Sequence, residues 1–230
     1  MTPKAYADMQ RIERLRLRLR DGESVTTALY SAGFGSSSRL YEQSNTLMGM
    51  TPSDYRRQGA GTTVAFTVVN TTLGKLLVAA TSRGICAVKL GDSEATLERV
   101  LRHEYAAAEV RRDDETLAPL VSAIVQYVEK GAPLRGLAMD VQATAFTRSV
   151  WKALMAIPYG QTRTYGQIAA SIGRPTAARA VARACATNQL ALVIPCHRVV
   201  PSAGGTGGYR WGAARKRKLL ERERELSGEV

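Results

Sequence analysis

The stretch Val193-Ile194-Pro195-Cys196-His197-Arg198-Val199-Val200 places a thiol next to an imidazole and a guanidinium, after an apolar, strand-like run. A cysteine attacks only as the thiolate, so a nucleophilic cysteine needs a base or cationic neighbours, and His197 and Arg198 are candidates. Neighbouring side chains on a strand point to opposite faces, so contact between Cys196 and His197 requires a bridging water or a bent backbone, which Pro195 favours. The stretch indicates a reactive cysteine, with burial as a small core residue as the alternative.

A glycine-rich loop and a charged, helix-like segment follow the cysteine. The loop Gly204-Gly205-Thr206-Gly207-Gly208 leads into Tyr209-Arg210-Trp211-Gly212, and the charged segment begins at Ala213. One carboxylate of this segment is a candidate to orient the imidazole as the third member of a Cys-His-acid set. The candidates are Glu221, Glu223 and Glu225. The basic run at 215–218 is by itself typical of a solvated face.

These residues resemble the O6-alkylguanine-DNA alkyltransferases, and in particular the Ada-type methylated-DNA-protein-cysteine methyltransferases. The resemblance covers residues 64–226 and is carried, in the family's order, by Tyr165-Gly166, Arg179, Asn188, Pro195-Cys196-His197-Arg198, Tyr209 and Glu223. It implies repair of O6-alkylguanine, and of O4-alkylthymine, in DNA. The damaged base is flipped out and its alkyl group passes irreversibly to Cys196, so each molecule acts once.

The resemblance also implies roles for the site residues. The implied catalytic residues are Cys196 as acceptor, His197 as a base acting through a water, Glu223 as the partner of His197, and Tyr165 as proton donor to guanine. The implied DNA-binding residues are Arg179, which fills the vacated space in the stack, Tyr165, which crowds the 3′ phosphate, and Asn188, which ties the helix-turn-helix to the active-site loop.

Four residues are candidates for the pocket that receives the base. Tyr209 lines it and main-chain groups near Val199 read the base edge, both by resemblance. Trp211, two residues after Tyr209, is expected to narrow the rim. Cys185 either touches the flipped base or fills core space.

The charge of the chain points to nucleic acid as the partner. The net charge is +12, and residues 141–230 carry 14 Lys and Arg against 4 Asp and Glu. A segment this basic binds polyanions with release of counterions, so binding should weaken steeply with salt. The expected partner is double-stranded DNA containing O6-alkylguanine, bound by a monomer.

Composition narrows the remaining possibilities. The 230 residues are 45% hydrophobic, which is ordinary for a globular protein with a real core. Three cysteines without framework spacing and an N-terminus unlike a signal peptide predict a reduced, cytoplasmic protein. The sequence contains no CxxC or HxxxH pair, so no metal site is predicted, and no cofactor is expected. No apolar run is long enough to span a membrane.

The predicted fold class is α/β plus α. Residues 1–58 resemble the C-terminal half of an AraC-type DNA-binding domain. They form a helical, partial helix-turn-helix unit with one reader helix, which presents Arg39 or Gln43 outward, and promoter DNA is its candidate partner. Residues 59–63 form a linker, 64–142 a small ribonuclease-H-like α/β subdomain, and 143–226 the alkyltransferase helix-turn-helix subdomain.

Local patterns predict the elements of these units. The predicted strands are 64–69, 74–80 and 85–90, as an antiparallel meander, with a short strand at 138–141. The predicted helices are 25–32, 93–105, 115–130, 144–156, 166–173 and 176–186, with those at 93–105 and 115–130 covering one face of the sheet. Cys86 lies in an apolar run and is expected in the core.

Two other classes of function fit parts of the sequence. One is a DNA-binding regulator in which Cys196 senses damage and its alkylation changes DNA affinity. The other is a Cys-His-acid protease or acyltransferase, which leaves Arg179 and the basic, alanine-rich helix unexplained.

Overall fold

A short N-terminal helix forms with its own small core. The computed structural model describes residues 11, 14, 15, 17–19, 21, 23–34, 62–134, 136–141 and 143–228. Helix α1 (Val25–Ser31) begins at Ser24, whose side chain accepts a hydrogen bond from the Thr27 amide at 3.1 Å. Its buried cluster comprises Leu15, Leu19, Ala28, Leu29, Ala32 and Phe34. The second helix predicted for this unit, with Arg39, lies outside the described residues.

A four-stranded sheet follows. Strands β1 (Thr63–Thr71), β2 (Gly74–Thr81) and β3 (Gly84–Gly91) form the predicted antiparallel meander, which is confirmed. Strand β4 (Glu109–Arg112) pairs parallel with β1, giving the order β3-β2-β1-β4. The sequence predicts no strand here, because Glu109-Val110-Arg111-Arg112 has a single apolar residue and therefore no alternating pattern. The strand predicted at 138–141 is wrong, since only Met139 makes an isolated bridge, to Ile85.

Two helices enclose the sheet from opposite sides, so the prediction that they share one face is wrong. Helix α2 (Glu94–Glu104) places Leu97 and Leu101 in a cluster with every second residue of β1. Helix α3 (Asp114–Lys130) packs on the other face, mainly against β1 and β2, in a cluster that includes Ala65, Leu76 and Val78. Both strand faces carry apolar residues, so each face needs a cover.

The second half of the chain is mainly helical. Helices α4 (Ala145–Met155), α5 (Tyr165–Ser171) and α6 (Ala178–Ala186) pack together, and α5 and α6 form the predicted helix-turn-helix. A short parallel pair, β5 (Arg163–Thr164) with β6 (Val199–Val200), joins the start of α5 to the chain after the cysteine. Helix α7 (Ala213–Ser227) ends the described chain.

One apolar core joins the two halves. Its buried residues come from β2, β3 and α3 on the sheet side and from α4, α5, α6 and the segment 190–199 on the helical side. The motif segment 193–200 therefore lies between the sheet and the helix-turn-helix. Within the described part of the chain, no helix is long and apolar enough to cross a membrane.

The turn between β2 and β3 depends on Gly84. Its φ is +145°, and an added Cβ would lie 2.6 Å from the carbonyl carbon of Ala138, whose oxygen accepts a hydrogen bond from Ile85. Gly84→Ala is expected to lower the free energy of unfolding by about 2 kcal/mol or more, measured by urea denaturation. Gly204→Ala is the control, because Gly204 also has a positive φ but an open surrounding. Equal losses in the two variants would show that the Ala138 contact is unimportant.

Candidate active site

Cys196 lies on a tight turn and not after a strand, which corrects the sequence interpretation. Residues 191–194 form turns in which Leu192 takes a φ of +70°, the only positive φ of a non-glycine residue in the part of the chain described. A single 3₁₀ turn, Cys196–Arg198, follows Pro195. The bent backbone favoured by Pro195 is present, and it removes the strand alternation that separates neighbouring side chains.

The side chain of Asn188 fixes this turn through hydrogen bonds. Its side-chain amide donates to the Ile194 carbonyl at 2.9 Å and to Cys196 Sγ at 3.2 Å, and its Oδ1 accepts from the Leu190 amide at 2.9 Å. The side chain is fully buried, so its assignment among the DNA-binding residues is corrected. Asn188 links the end of α6 to the cysteine turn and has no surface with which to touch DNA.

The Glu223 carboxylate collects five donors inside the protein. Oε1 accepts from Tyr127 Oη at 2.7 Å, bonds His197 Nε2 at 2.8 Å and accepts from Arg198 Nη2 at 3.0 Å. Oε2 accepts from Arg198 Nε at 2.8 Å and from the Gly160 amide at 3.3 Å. Burial raises the pKa of Glu223, but the contacts with His197 and Arg198 outweigh this effect and lower the pKa to about 2. Glu223 is therefore ionised at neutral pH.

The ionised carboxylate determines the tautomer of His197. Because it only accepts, Nε2 carries the proton and donates to it, which leaves Nδ1 as the basic nitrogen. His197 is fully buried and Nδ1 has no hydrogen-bond partner. Burial lowers the pKa of His197, against the opposing effect of Glu223, so the imidazole is neutral. A neutral imidazole with a free Nδ1 can take a proton.

The thiol is held protonated at rest. Cys196 is 4% exposed, and burial raises its pKa to about 11, although the Asn188 hydrogen bond and the charge of Lys216 both lower it. Arg198, proposed from the sequence as a cationic neighbour of the thiol, instead donates to Glu223 and to the Ile157 carbonyl at 2.7 Å. The thiolate therefore has to be generated when a substrate arrives.

Lys216 corrects the interpretation of the run 215–218 as a solvated face. Its side chain is fully buried, and Nζ donates to the Val199 carbonyl at 2.6 Å and, more weakly, to the Gly208 carbonyl at 3.4 Å. Burial lowers the pKa of Lys216, while the neighbouring thiols raise it. The ammonium thus fixes the backbone on both sides of the loop that follows the cysteine.

The four pocket candidates lie around this centre. The Tyr209 ring stands edge-on to the His197 ring at 6.4 Å between centroids and to the Trp211 ring at 5.1 Å. The Tyr209 hydroxyl is buried without a hydrogen-bond partner. Val199 is fully buried beside Lys216, and Cys185 lies on the inner side of α6, where burial raises its pKa to about 12.

The two candidate residues of the helix-turn-helix, Tyr165 and Arg179, lie at the edge of this centre. Tyr165 is the first residue of α5, whose start is closed by a reciprocal pair of hydrogen bonds between Thr164 and Gln167. Tyr165 is half-buried, and burial raises its pKa. Arg179 is exposed in the first turn of α6, while Cys185 in the last turn faces inward.

The sequence does not single out three residues of the centre as site residues, namely Arg198, Lys216 and Tyr127. It indicates Arg198 only as a cation near the thiol. Lys216 shares one helical face with Leu219, Leu220 and Glu223, a spacing that would have revealed it. Tyr127 reaches Glu223 from 96 positions away, and no local pattern signals that contact. Among the described residues, no three His, Cys, Asp or Glu side chains come together as metal ligands.

Fold and site define a class of protein in which a helix-turn-helix flanks a buried Cys-His-Glu centre backed by a small sheet. Family models match three stretches: "6-O-methylguanine DNA methyltransferase, ribonuclease-like domain" at 64–141, "6-O-methylguanine DNA methyltransferase, DNA binding domain" at 145–225, and "Helix-turn-helix domain" at 1–58. The inducible methylated-DNA–protein-cysteine methyltransferase of Bacillus subtilis is 35% identical over 66% of this chain and 86% of that protein. The chain belongs to the methylated-DNA–protein-cysteine methyltransferase family, and the resemblance predicted from the sequence is confirmed.

Two further relatives extend this comparison. The "Bifunctional transcriptional activator/DNA repair enzyme Ada" of Escherichia coli K12 is 45% identical over 98% of this chain, which spans 64% of that protein's length. The crystal structure of the Mycobacterium tuberculosis O6-methylguanine methyltransferase matches with a TM-score of 0.60 and 32% identity, over 71% of this chain and 94% of that one. The predicted fold class is thus confirmed.

Glu223 should govern the stability of the centre and part of its acid sensitivity. Glu223→Gln leaves Arg198 buried without its counter-charge, so a loss of about 3–5 kcal/mol in the free energy of unfolding is expected at pH 7. Because the folded pKa of about 2 lies below the ordinary 4.5, the stabilisation by Glu223 is complete above pH 4.5 and is lost as the pH falls towards 2. Urea unfolding from pH 7 to pH 3 should therefore show the two proteins converging.

The control for this measurement is Glu221→Gln, which changes an exposed carboxylate on the same helix. It should leave both the stability and its pH dependence close to the wild type. A constant gap between wild type and Glu223→Gln at all pH values would contradict the low pKa of Glu223.

Proposed function

We propose that this chain repairs O6-alkylguanine, and O4-alkylthymine, in double-stranded DNA by moving the alkyl group onto Cys196 Sγ once per molecule. The observation that carries the proposal is the pairing of a protonated, buried thiol with a neutral His197 whose Nδ1 is unpartnered. The family assignment supports the same chemistry. It also argues against the protease alternative, which accounts for the three catalytic residues and for nothing else in the chain.

The proposed step transfers the alkyl group to sulfur and moves two protons. Sγ of Cys196 attacks the alkyl carbon while its proton passes through a water to Nδ1 of His197, and Glu223 stabilises the imidazolium that forms. The S–C bond forms as the bond between that carbon and O6 breaks. The departing guanine takes a proton from the Tyr165 hydroxyl, and the half-buried Tyr165 regains a proton from solvent. The thioether product has no easy route back to the thiol, so the protein is consumed.

The burial of the thiol supports base flipping. O6 of a stacked guanine cannot reach a sulfur inside the protein, so the base has to enter the pocket lined by Tyr209 and Trp211. Arg179 and Arg183 are exposed on α6, whose other exposed residues are alanines, so the helix backbone suits close approach to DNA. A solved M. tuberculosis relative, 31% identical with a TM-score of 0.60, is described as "in complex with DNA". We propose that Arg179 occupies the space that the flipped base leaves.

Mass spectrometry tests the transfer itself. After incubation with duplex DNA containing O6-methylguanine, the peptide with Cys196 should gain one methyl group, about 14 Da, and the signal should saturate at one methyl per molecule. Cys196→Ser should gain nothing, because an alcohol of high pKa replaces the thiol. Cys185→Ser is the matched control, a second buried cysteine whose change should leave methylation in place. Methylation of another residue in wild type, or turnover beyond one equivalent, would refute the proposal.

Arg179 is tested by comparing substrates that do and do not need flipping. Since extrusion from a duplex costs a few kcal/mol, Arg179→Ala should slow transfer from duplex DNA by about tenfold or more. Transfer from free O6-methylguanine should change little, because no base leaves a stack. Arg174→Ala, an exposed arginine just before α6, controls for the loss of charge. Equal slowing on both substrates would rule out a role in flipping.

A second function is favoured by the N-terminal residues. The helix-turn-helix family model covers 1–58, and the E. coli relative is named a transcriptional activator as well as a repair enzyme. We propose that this unit binds promoter DNA, with Arg39 presented to the bases. The monomeric state, the cytoplasmic location, and the division into units 1–58, 64–142 and 143–226 stay predictions of the same proposal.

A further inference from the structure

The segment Tyr209-Arg210-Trp211, here called the pocket wall, has little rigidity of its own. It follows the glycine-rich loop at 204–208 and precedes Gly212, which has a φ of +99°. Glycine on both sides gives the backbone wide conformational freedom. Yet Trp211 is 7% exposed and its ring packs edge-on against Tyr209. Bonds to other parts of the protein must therefore hold the wall in place.

Arg210 supplies the first of these bonds. Its Nη2 pairs with Glu104 Oε1 at 3.0 Å, and the other oxygen of Glu104 pairs with Lys89 Nζ at 2.5 Å. The Lys89 side chain on β3 is 3% exposed, so one end of this ion triad is buried, whereas the Arg210 side chain is 31% exposed and forms its solvent-facing end. Arg210 Nη1 also donates to the Asn188 carbonyl at 3.4 Å. One end of the wall is thus joined to α2, β3 and the residue that contacts Cys196.

Arg215 supplies the second set, one helical turn further on. Its Nη1 donates to the Trp211 carbonyl at 2.9 Å and its Nε to the Leu73 carbonyl at 2.7 Å. Its Nη2 forms an ion pair with Asp92, which follows β3. Leu73 lies in the turn between β1 and β2, so Arg215 ties the other end of the wall to the sheet.

We infer that Arg210 and Arg215 are positioning residues that clamp the pocket wall onto the sheet, and that the clamp restricts the site to small alkyl groups. The inference rests on the proposed transfer to Cys196. A larger group, such as benzyl, needs Tyr209 and Trp211 to move aside, and both arginines resist that movement. The sheet subdomain, which supplies Lys89, Glu104, Leu73 and Asp92, thereby acts as the rigid support of the pocket.

The test compares Arg210→Met and Arg215→Met, singly and together, with Arg217→Met. Arg217 is exposed in the same basic stretch, so its change matches the loss of charge without touching the wall. Methionine keeps the length of the side chain and, at position 210, leaves the Lys89–Glu104 pair intact. Rates are measured with duplex O6-methylguanine and with free O6-benzylguanine, and wall motion is followed by ¹⁹F NMR of protein containing 5-fluorotryptophan.

The two tryptophans make the NMR readout independent of activity. Trp151, whose indole donates to the Ala184 carbonyl at 3.3 Å inside the helical half, reports on folding, and Trp211 reports on the wall. In the double variant the Trp211 resonance should broaden or shift while that of Trp151 stays unchanged. The ratio of the methyl rate to the benzyl rate should fall about tenfold or more, because a released wall admits the benzyl ring, and discrimination by pocket size is worth a factor of about 10–200. Arg217→Met should match the wild type in both respects.

Each contrary result has a separate meaning. An unchanged rate ratio with an intact Trp151 resonance overturns the specificity role even if Trp211 broadens. An unchanged Trp211 resonance overturns the clamp itself. If the wild type transfers no methyl group at all, the proposed function fails, and the NMR comparison still decides whether the arginines hold the wall. The single variants, which each remove fewer bonds, give the same comparison if the double variant does not fold.

Discussion

The structure of the site depends on one buried negative charge. A carboxylate withdrawn from water is costly unless donors surround it, and Glu223 has five. These donors come from α3, from the turn at Gly160 and from the 3₁₀ turn that follows Cys196, while the carboxylate itself belongs to α7. Satisfying one charge therefore fixes four separate segments relative to one another. His197 acquires its tautomer, and Arg198 its position, from the same requirement.

The candidate reactive cysteine, Cys196, is a thiol and not a thiolate in the resting protein. Burial keeps the thiol of Cys196 protonated, and Lys216, whose charge favours the thiolate, donates to two backbone carbonyls. In the resting protein, protonated Cys196 is the donor and neutral His197 the acceptor of a proton that has not yet been transferred. Such an arrangement protects the sulfur from other electrophiles until a substrate arrives, which suits the single transfer proposed for this chain.

The two halves of the chain contribute different residues to the site. The helical half carries the exposed arginine of α6 and the half-buried tyrosine at the start of α5, while the sheet half donates Tyr127 to Glu223 and receives the arginines of the pocket wall. A continuous apolar core joins them, so the sheet is a structural part of the site although it carries neither the thiol nor the imidazole. Residues 61–140 carry 9 Lys and Arg against 10 Asp and Glu, and this near-neutral charge agrees with a supporting role.

The local pattern determined much of this protein. The meander of β1 to β3, the helices and the Cys-His pair follow from short-range periodicity and from residue chemistry, and the family's spacing singled out Glu223 among three glutamates. Local pattern could not supply the parallel pairing of β4, the enclosure of the sheet by helices on both faces, or the burial of Asn188 and Lys216. Those features depend on contacts between residues far apart in the chain, such as Tyr127 with Glu223. From the sequence, a polar side chain is expected to lie in solvent. Only tertiary contacts decide which charged side chains are buried, because the partners that satisfy them come from distant parts of the chain.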